Sequence, residues 1–152
     1  MNEITSTEKV LFICHHNSGR SQLAEALLRM LYPDRYESYS AGVIPSQVNP
    51  YAIKVMEQLG VDMSSHRSKS IDEFKDTVFD YVVTVCDKAR ESCPYFPGHN
   101  IIHHSFTSAL SEGSEEEIQA SFIRVRDEIR DWLEKQFGAL LIKLLPANEN
   151  LS

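Results

Sequence analysis

Long apolar runs are missing from this chain. The longest, such as Val10–Cys14 and Ala139–Ile142, fall far short of the roughly 20 residues that a membrane-spanning helix needs, so no membrane partner is expected. The start, Met1-Asn2-Glu3-Ile4-Thr5, lacks the basic residues and apolar stretch of a signal peptide. Cysteine is scarce: three in 152 residues, an odd number that does not make a secreted disulfide framework. Reduced thiols and a cytoplasmic location are therefore expected. Basic blocks are absent too. Fifteen Lys and Arg against 22 Asp and Glu leave a net charge of −7, so no broad positive surface answers a nucleic acid or an anionic membrane. Any anion must be caught locally, by backbone amides and one or two cations. Metal is not expected either: there is no C-x2-C pair, and the adjacent histidines His15-His16 and His103-His104 would point to opposite faces of a strand. Repeats, low-complexity tracts and linkers are also lacking.

What is present suits one globular domain over residues 1–152, with 42% apolar and 24% charged residues. Its core is expected over about residues 9–137, with a flexible segment 1–8 and a tail 139–152 that is either a docked helix or a loose end. Lys9–Ile13 reads as a buried strand ending at Cys14. Leu23, Leu27 and Met30/Leu31 then recur at helical spacing from Ser21 until Pro33. Tyr36–Ser40 reads as a second strand, stopped by Ala41-Gly42. Asn49-Pro50 opens a helix whose inner face is Ile53, Met56 and Leu59, with Gly60 as its stop. Ser70-Ile71-Asp72-Glu73 is a capping-box pattern for one turn. Phe79–Val85 is the strongest strand signal and ends at Cys86; Asn100–His103 is a weaker strand. Ser114-Glu115-Glu116-Glu117 opens a long helix through Phe137.

Alternating strands and helices predict an α/β, three-layer, flavodoxin-like fold: a four-stranded parallel sheet in the order 2-1-3-4 with helices on both faces. In that arrangement the ligand site lies beyond the carboxyl ends of strands 1 and 3. Those ends carry Cys14 and Cys86.

The segment Cys14-His15-His16-Asn17-Ser18-Gly19-Arg20-Ser21 lies between a strand and a helix. Such a loop aims successive amides inward and adds the positive end of the helix dipole, a nest for a tetrahedral oxyanion. Arg20 can grip two oxygens of the anion, and the same field favours a thiolate on Cys14. Gly19 suits a tight cradle by lacking Cβ, and Asn17 and His16 by tolerating positive φ. Ser21 can donate its hydroxyl to the sulfur or the anion. The plain alternative is a buried cysteine followed by an ordinary loop and a solvated arginine.

Cys14 through Ser21, followed by Gln22-Leu23-Ala24-Glu25, resembles the signature of the low-molecular-weight protein tyrosine phosphatases and of the arsenate reductases built on their fold. Ser40-Ala41-Gly42, Leu59-Gly60 with Ser65-His66-Arg67-Ser68, and Phe79 through Cys86 resemble the reductase branch. So does the pair Cys86 and Cys93-Pro94, since phosphatases use the loop cysteine alone. The resemblance implies a relay without bound cofactor. Cys14 attacks arsenate, Cys86 attacks Cys14 and expels arsenite, and Cys93 attacks Cys86 and carries the disulfide to thioredoxin. Cys86 and Cys93 are seven apart in sequence. A helix between them would hold their Cα atoms about 10 Å apart, beyond the ~7 Å limit of a disulfide, so the segment 87–92 must loop or unwind during turnover.

Two positions depart from the family pattern. Ser108-Ala109 stand where an acidic residue and Pro are expected as general acid, leaving Asp87, Glu112 or a histidine as substitutes. Some relatives hold a potassium ion beneath the loop with residues matching Asn17, Glu25, Ser40 and an acidic residue; that last position here is Lys69. Its ammonium would replace the ion by pairing with Glu25, unless Lys69 points into water. Beside the arsenate reductase, the sequence leaves open a phosphatase and an oxyanion-binding or redox-sensing module that has lost turnover.

Overall fold

The computed structural model describes residues 7–92 and 96–143. Strand β1 (Glu8–Cys14) runs through the middle of the sheet, and Val10, Leu11, Phe12 and Ile13 have no exposed surface, as a parallel strand covered on both faces requires. Strands β2 (Tyr36–Gly42) and β3 (Phe79–Thr84) flank it, and β4 (Gly98–His103) pairs outside β3. All four are parallel, in the order β2-β1-β3-β4. The strand order is the one that the alternating pattern predicts.

Helix α1 (Arg20–Leu31) buries Leu23, Ala24, Leu27 and Leu28 and packs with α4 (Glu115–Lys143) on one face of the sheet. There Tyr36 of β2 and Tyr81 of β3 meet Phe137 of α4 edge to face, at 5.0 and 5.4 Å. On the other face Tyr39 and Phe79 pack against Phe74 of a 3₁₀ turn, Ile71–Phe74. Ser70 Oγ caps that turn from Asp72 N, while Glu73 turns away to Arg67, so only half of the expected box forms. At α4 the box is complete: Ser114 Oγ accepts from Glu117 N, and Glu117 Oε1 accepts from Ser114 N.

Several boundaries differ from the sequence reading. The strand expected from Lys9 begins at Glu8, which pairs with Tyr36, and the Thr7 hydroxyl donates to Glu37; the edge of β2 thus orders two residues placed in the flexible segment. Helix α2 (Pro50–Glu57) buries Ala52, Val55 and Met56, leaving Ile53 only partly covered. Its inward stripe is rotated because Tyr51 stacks on Phe122 of α4 at 5.6 Å. Gly60, at φ +79°, ends that segment. Helix α3 (Asp87–Ser92) was not legible as a helix, since six residues are too few to show a period. α4 continues to Lys143, beyond Phe137. Cys93, residues 1–6 and the tail after residue 143 lie outside the described residues.

The strand register brings the chemistry to one edge. Cys14 lies opposite Gly42, Ile13 opposite Thr84, and Thr84 opposite His103.

Candidate active site

The turn from β1 into α1 wraps around the sulfur of Cys14, which is 5% exposed. Asn17 N donates to Cys14 Sγ at 3.1 Å, and Ser21 Oγ lies 2.7 Å from it. Ser21 Oγ already accepts from Asn17 Nδ2 at 2.8 Å, which leaves its own proton for the sulfur. Asn17, fully buried and at φ 52°, joins the site together. Its Nδ2 also donates to Ser40 Oγ at 2.9 Å, and its Oδ1 accepts from Gln22 Nε2 and Lys69 N, each at 2.9 Å. Every polar atom of that side chain is therefore used, and the side chain alone can sustain the left-handed backbone. His16 and Gly19 do not adopt positive φ, and a Cβ on Gly19 would meet only Phe122 at 3.8 Å. The close approach is instead at Gly42, where a Cβ would lie 2.7 Å from Asn17 N; the end of β2 must be glycine for the loop to pass.

Above the sulfur lies a cleft of about 320 Å³ lined by Cys14, His15, His16, Ser18, Gly19, Arg20, Asn49, Ser108 and Ala109. With glycine at its N-cap, α1 opens its first amides toward that cleft without a side-chain cap. Arg20 Nη1 donates to Phe106 O at 2.9 Å, which fixes the guanidinium from the loop after β4. That loop is held by rings: His104 stacks on Trp132 at 5.0 Å, and Phe106 meets Trp132 edge-on at 5.6 Å. Ser108 thus reaches the cleft where an acid was expected. Of the substitutes considered, His15 and His16 line the cleft, whereas Asp87 and Glu112 do not. Burial, with Lys88 and His16 adding to it, holds His15 below the usual imidazole range. Its Nδ1 is buried without a hydrogen-bond partner among the described residues.

Beneath the loop the network continues through Ser40, whose hydroxyl donates to Glu25 Oε1. Glu25 is 7% exposed. Lys69 turns inward rather than to water: its side chain is 11% exposed, with Nζ 3.0 Å from Arg67 O and 3.8 Å from Glu25 Oε1. A tighter partner escaped the sequence reading, since Arg29 Nη2 lies 2.8 Å from Glu25 Oε2. The pairing of Glu25 is therefore shared between two cations. Burial lowers the Lys69 pKa, and Glu25 offsets this only in part.

Also unforeseen was the support of Gln22. Arg29 Nη1 can only donate to His66 Nε2, at 3.3 Å, so the proton of His66 sits on Nδ1 and goes to Gln22 Oε1 at 2.9 Å. Burial keeps that imidazole below its ordinary pKa, in accord with the neutral tautomer.

Cys86, 2% exposed, follows β3 and precedes α3. Its Sγ accepts from Ala89 N at 3.4 Å. Since Val85 N donates to Ile13 O at 2.9 Å, the two buried thiols leave neighbouring strands side by side. The third thiol, Cys93, lies outside the described residues. No group of three or more metal-ligating side chains occurs among the described residues, and no helix among them is long and apolar enough to cross a membrane.

The family model for low molecular weight phosphotyrosine protein phosphatase matches residues 9–145. The arsenate reductase of Halalkalibacterium halodurans is 41% identical over 122 residues, spanning 79% of this chain and 88% of that protein. The arsenate reductase of Bacillus subtilis is 40% identical over 131 residues, 85% of this chain and 94% of its own. Among solved structures, a thioredoxin-dependent arsenate reductase from Corynebacterium glutamicum superposes with a TM-score of 0.64 at 29% identity, over 86% of this chain and 62% of that one. With its cradle around Cys14, its arginine fork and its sheet order, the chain belongs to the low molecular weight phosphotyrosine protein phosphatase family, in the group that holds the arsenate reductases.

Proposed function

We propose that this protein reduces arsenate to arsenite by a three-cysteine relay and is recycled by thioredoxin, with no bound cofactor. The observation that carries the reading is the pair of buried thiols at adjacent strand ends, Cys14 in an anion cradle and Cys86 at the start of α3. A phosphatase needs only the first. The curated relatives named arsenate reductase and the thioredoxin-dependent structural relative support the same choice.

Arsenate enters the cleft with its oxygens on the loop amides of His15 to Arg20 and on the Arg20 fork. The Cys14 thiolate attacks arsenic, forming an S–As bond while one hydroxyl of the arsenate leaves as water, taking with it a second proton that the arsenate carries. The Cys86 thiolate then attacks Cys14 Sγ. The S–As bond breaks, its electron pair stays on arsenic, and arsenite departs from a Cys14–Cys86 disulfide. Cys93 attacks Cys86 and frees Cys14 as thiolate. The two thiols of thioredoxin reduce the Cys86–Cys93 disulfide, balancing the two electrons given to arsenic.

Thiol counting tests this directly. One equivalent of arsenate without reductant should lower the free thiols from three to one and release arsenite; three thiols persisting would overturn the reading. Thioredoxin, its reductase and NADPH should then sustain turnover.

Ser108 at the cleft argues against efficient phosphatase chemistry. A phosphate ester must expel an alkoxide or phenoxide that needs a proton, and a positioned acid contributes about 10²–10⁴-fold. Ser108→Asp should therefore raise phosphatase rates much more than reductase rates, measured on one preparation with both substrates. Equal gains would count against this account of the loop.

A further inference from the structure

His103 closes β4 beside the turn that carries Cys86, and both of its ring nitrogens are engaged. Nδ1 lies 2.7 Å from Oγ1 of Thr84, the last residue of β3, and Nε2 lies 2.9 Å from Oδ1 of Asp87, the first residue of α3. A carboxylate only accepts, so Nε2 carries a proton, and in the neutral ring Nδ1 accepts from the threonine hydroxyl. The imidazole thus bridges the ends of the turn Val85-Cys86. Inside the bridge, Cys86 Sγ rests on Ala89 N at 3.4 Å, and Cys86 O accepts from Arg90 N at 3.2 Å. Among the described residues, helix α3 has little else to hold it. Six residues do not form a stable helix alone, and of residues 87–91 only Ala89 is buried.

We infer that His103 is a positioning residue for the second thiol: through Asp87 it clamps the first turn of α3, and Cys86 with it, to the ends of β3 and β4. The clamp itself stands on geometry. Its catalytic consequence rests on the proposed relay, in which 87–92 must unwind, so the His103–Asp87 bond has to break between the first thiol exchange and the second. A side chain off the anion cleft would then govern the passage from one exchange to the next.

Hydrogen exchange on the full-length reduced protein tests the clamp without reference to activity. Asp87→Ala and His103→Asn, whose amide occupies the Nδ1 position but does not reach Asp87, should each speed exchange at Ala89 and Arg90 by about threefold, the loss of one exposed pair worth about 0.65 kcal/mol. Amides of β1 and α4 serve as the internal reference and should be unaffected. His103→Gln, which returns an N–H near the Nε2 position, should restore protection. The double variant Asp87→Ala/His103→Asn should exchange no faster than Asp87→Ala alone. Wild-type exchange in His103→Asn, or additive effects in the double variant, would overturn the clamp. The positioning role has its own readout: in a single turnover, His103→Asn should release arsenite several-fold more slowly with arsenate affinity unchanged. Faster α3 exchange with an unchanged arsenite burst would leave His103 a purely structural contact and overturn that role. Failure of the relay itself would show differently, as absence of arsenite from the wild-type protein.

Discussion

The two described thiols sit at neighbouring strand ends, yet their surroundings differ in kind. Around Cys14 the bonds are buried and interlocked: Asn17, Ser21, Ser40, Gln22 and Glu25 form a network in which most members serve two partners. Around Cys86 there is one long contact to Ala89 N and an imidazole–carboxylate pair whose Asp87 side chain is 64% exposed. Buried networks are strong because every broken member leaves another unsatisfied, whereas exposed pairs are worth about 0–1 kcal/mol. The difference fits the two jobs that the proposed relay assigns to them. A cradle for a tetrahedral anion gains from being rigid before the substrate arrives, while a segment that hands on a disulfide has to move.

The largest effect should come from breaking the relay downstream of Cys86. Cys93→Ser should leave the first exchange intact, giving about one arsenite per enzyme, and abolish sustained thioredoxin-linked turnover. Continued turnover would remove Cys93 from the relay. On the rigid side, Asn17→Ala should cost about 3 kcal/mol in a denaturant titration, since it strands buried partners and leaves alanine at positive φ. A loss below about 1 kcal/mol would mean that the loop closes without this residue.

A smaller effect concerns His66. Its pKa is lowered in the fold by burial, so the unfolded chain binds the proton more readily. Stability should be full above the ordinary value of 6.5 and decline as pH falls from there toward the folded pKa. His66→Asn, which keeps a donor for Gln22, should flatten that part of the melting-temperature profile. The same slope in both proteins would place the titration elsewhere.

Lys69→Met should have the least effect. Glu25 keeps Arg29 at 2.8 Å, and removing the lysine also removes the cost of burying its ammonium, so the net change should stay within about 1 kcal/mol. A loss of several kcal/mol would show that Lys69, rather than Arg29, neutralises Glu25.

The rigid region was largely legible in the sequence because it is local. Cys14, Asn17, Arg20 and Ser21 lie within eight consecutive residues, and strand, loop and helix follow from pattern and turn chemistry. Lys69 was readable only through the family resemblance. What escaped depends on chain crossings that no local pattern encodes. Arg29 reaches Glu25 along one face of α1, but nothing in the spacing says that Glu25 is buried or that the guanidinium also donates to Ser38 O. His66 meets Gln22 across 44 residues. His103 was weighed as a metal ligand, and its bonds to Thr84 and Asp87 appear only once β4 is registered against β3. Glycine was also misplaced: the loop looked as though it needed Gly19, whereas the tight spot is Gly42 on the neighbouring strand.

The ring stack behind the cleft makes the molecule its own optical probe. Trp132 is the single tryptophan of the chain, and it lies against His104 and Phe106, whose carbonyl holds Arg20. Fluorescence excited in this indole therefore comes from the back wall of the anion cradle and from nowhere else. Because Arg20 donates to Phe106 O, any shift of that guanidinium on oxyanion binding would reach the fluorophore, so ligand titrations and stopped-flow traces on the unmodified protein would read it with no dye and no engineered reporter.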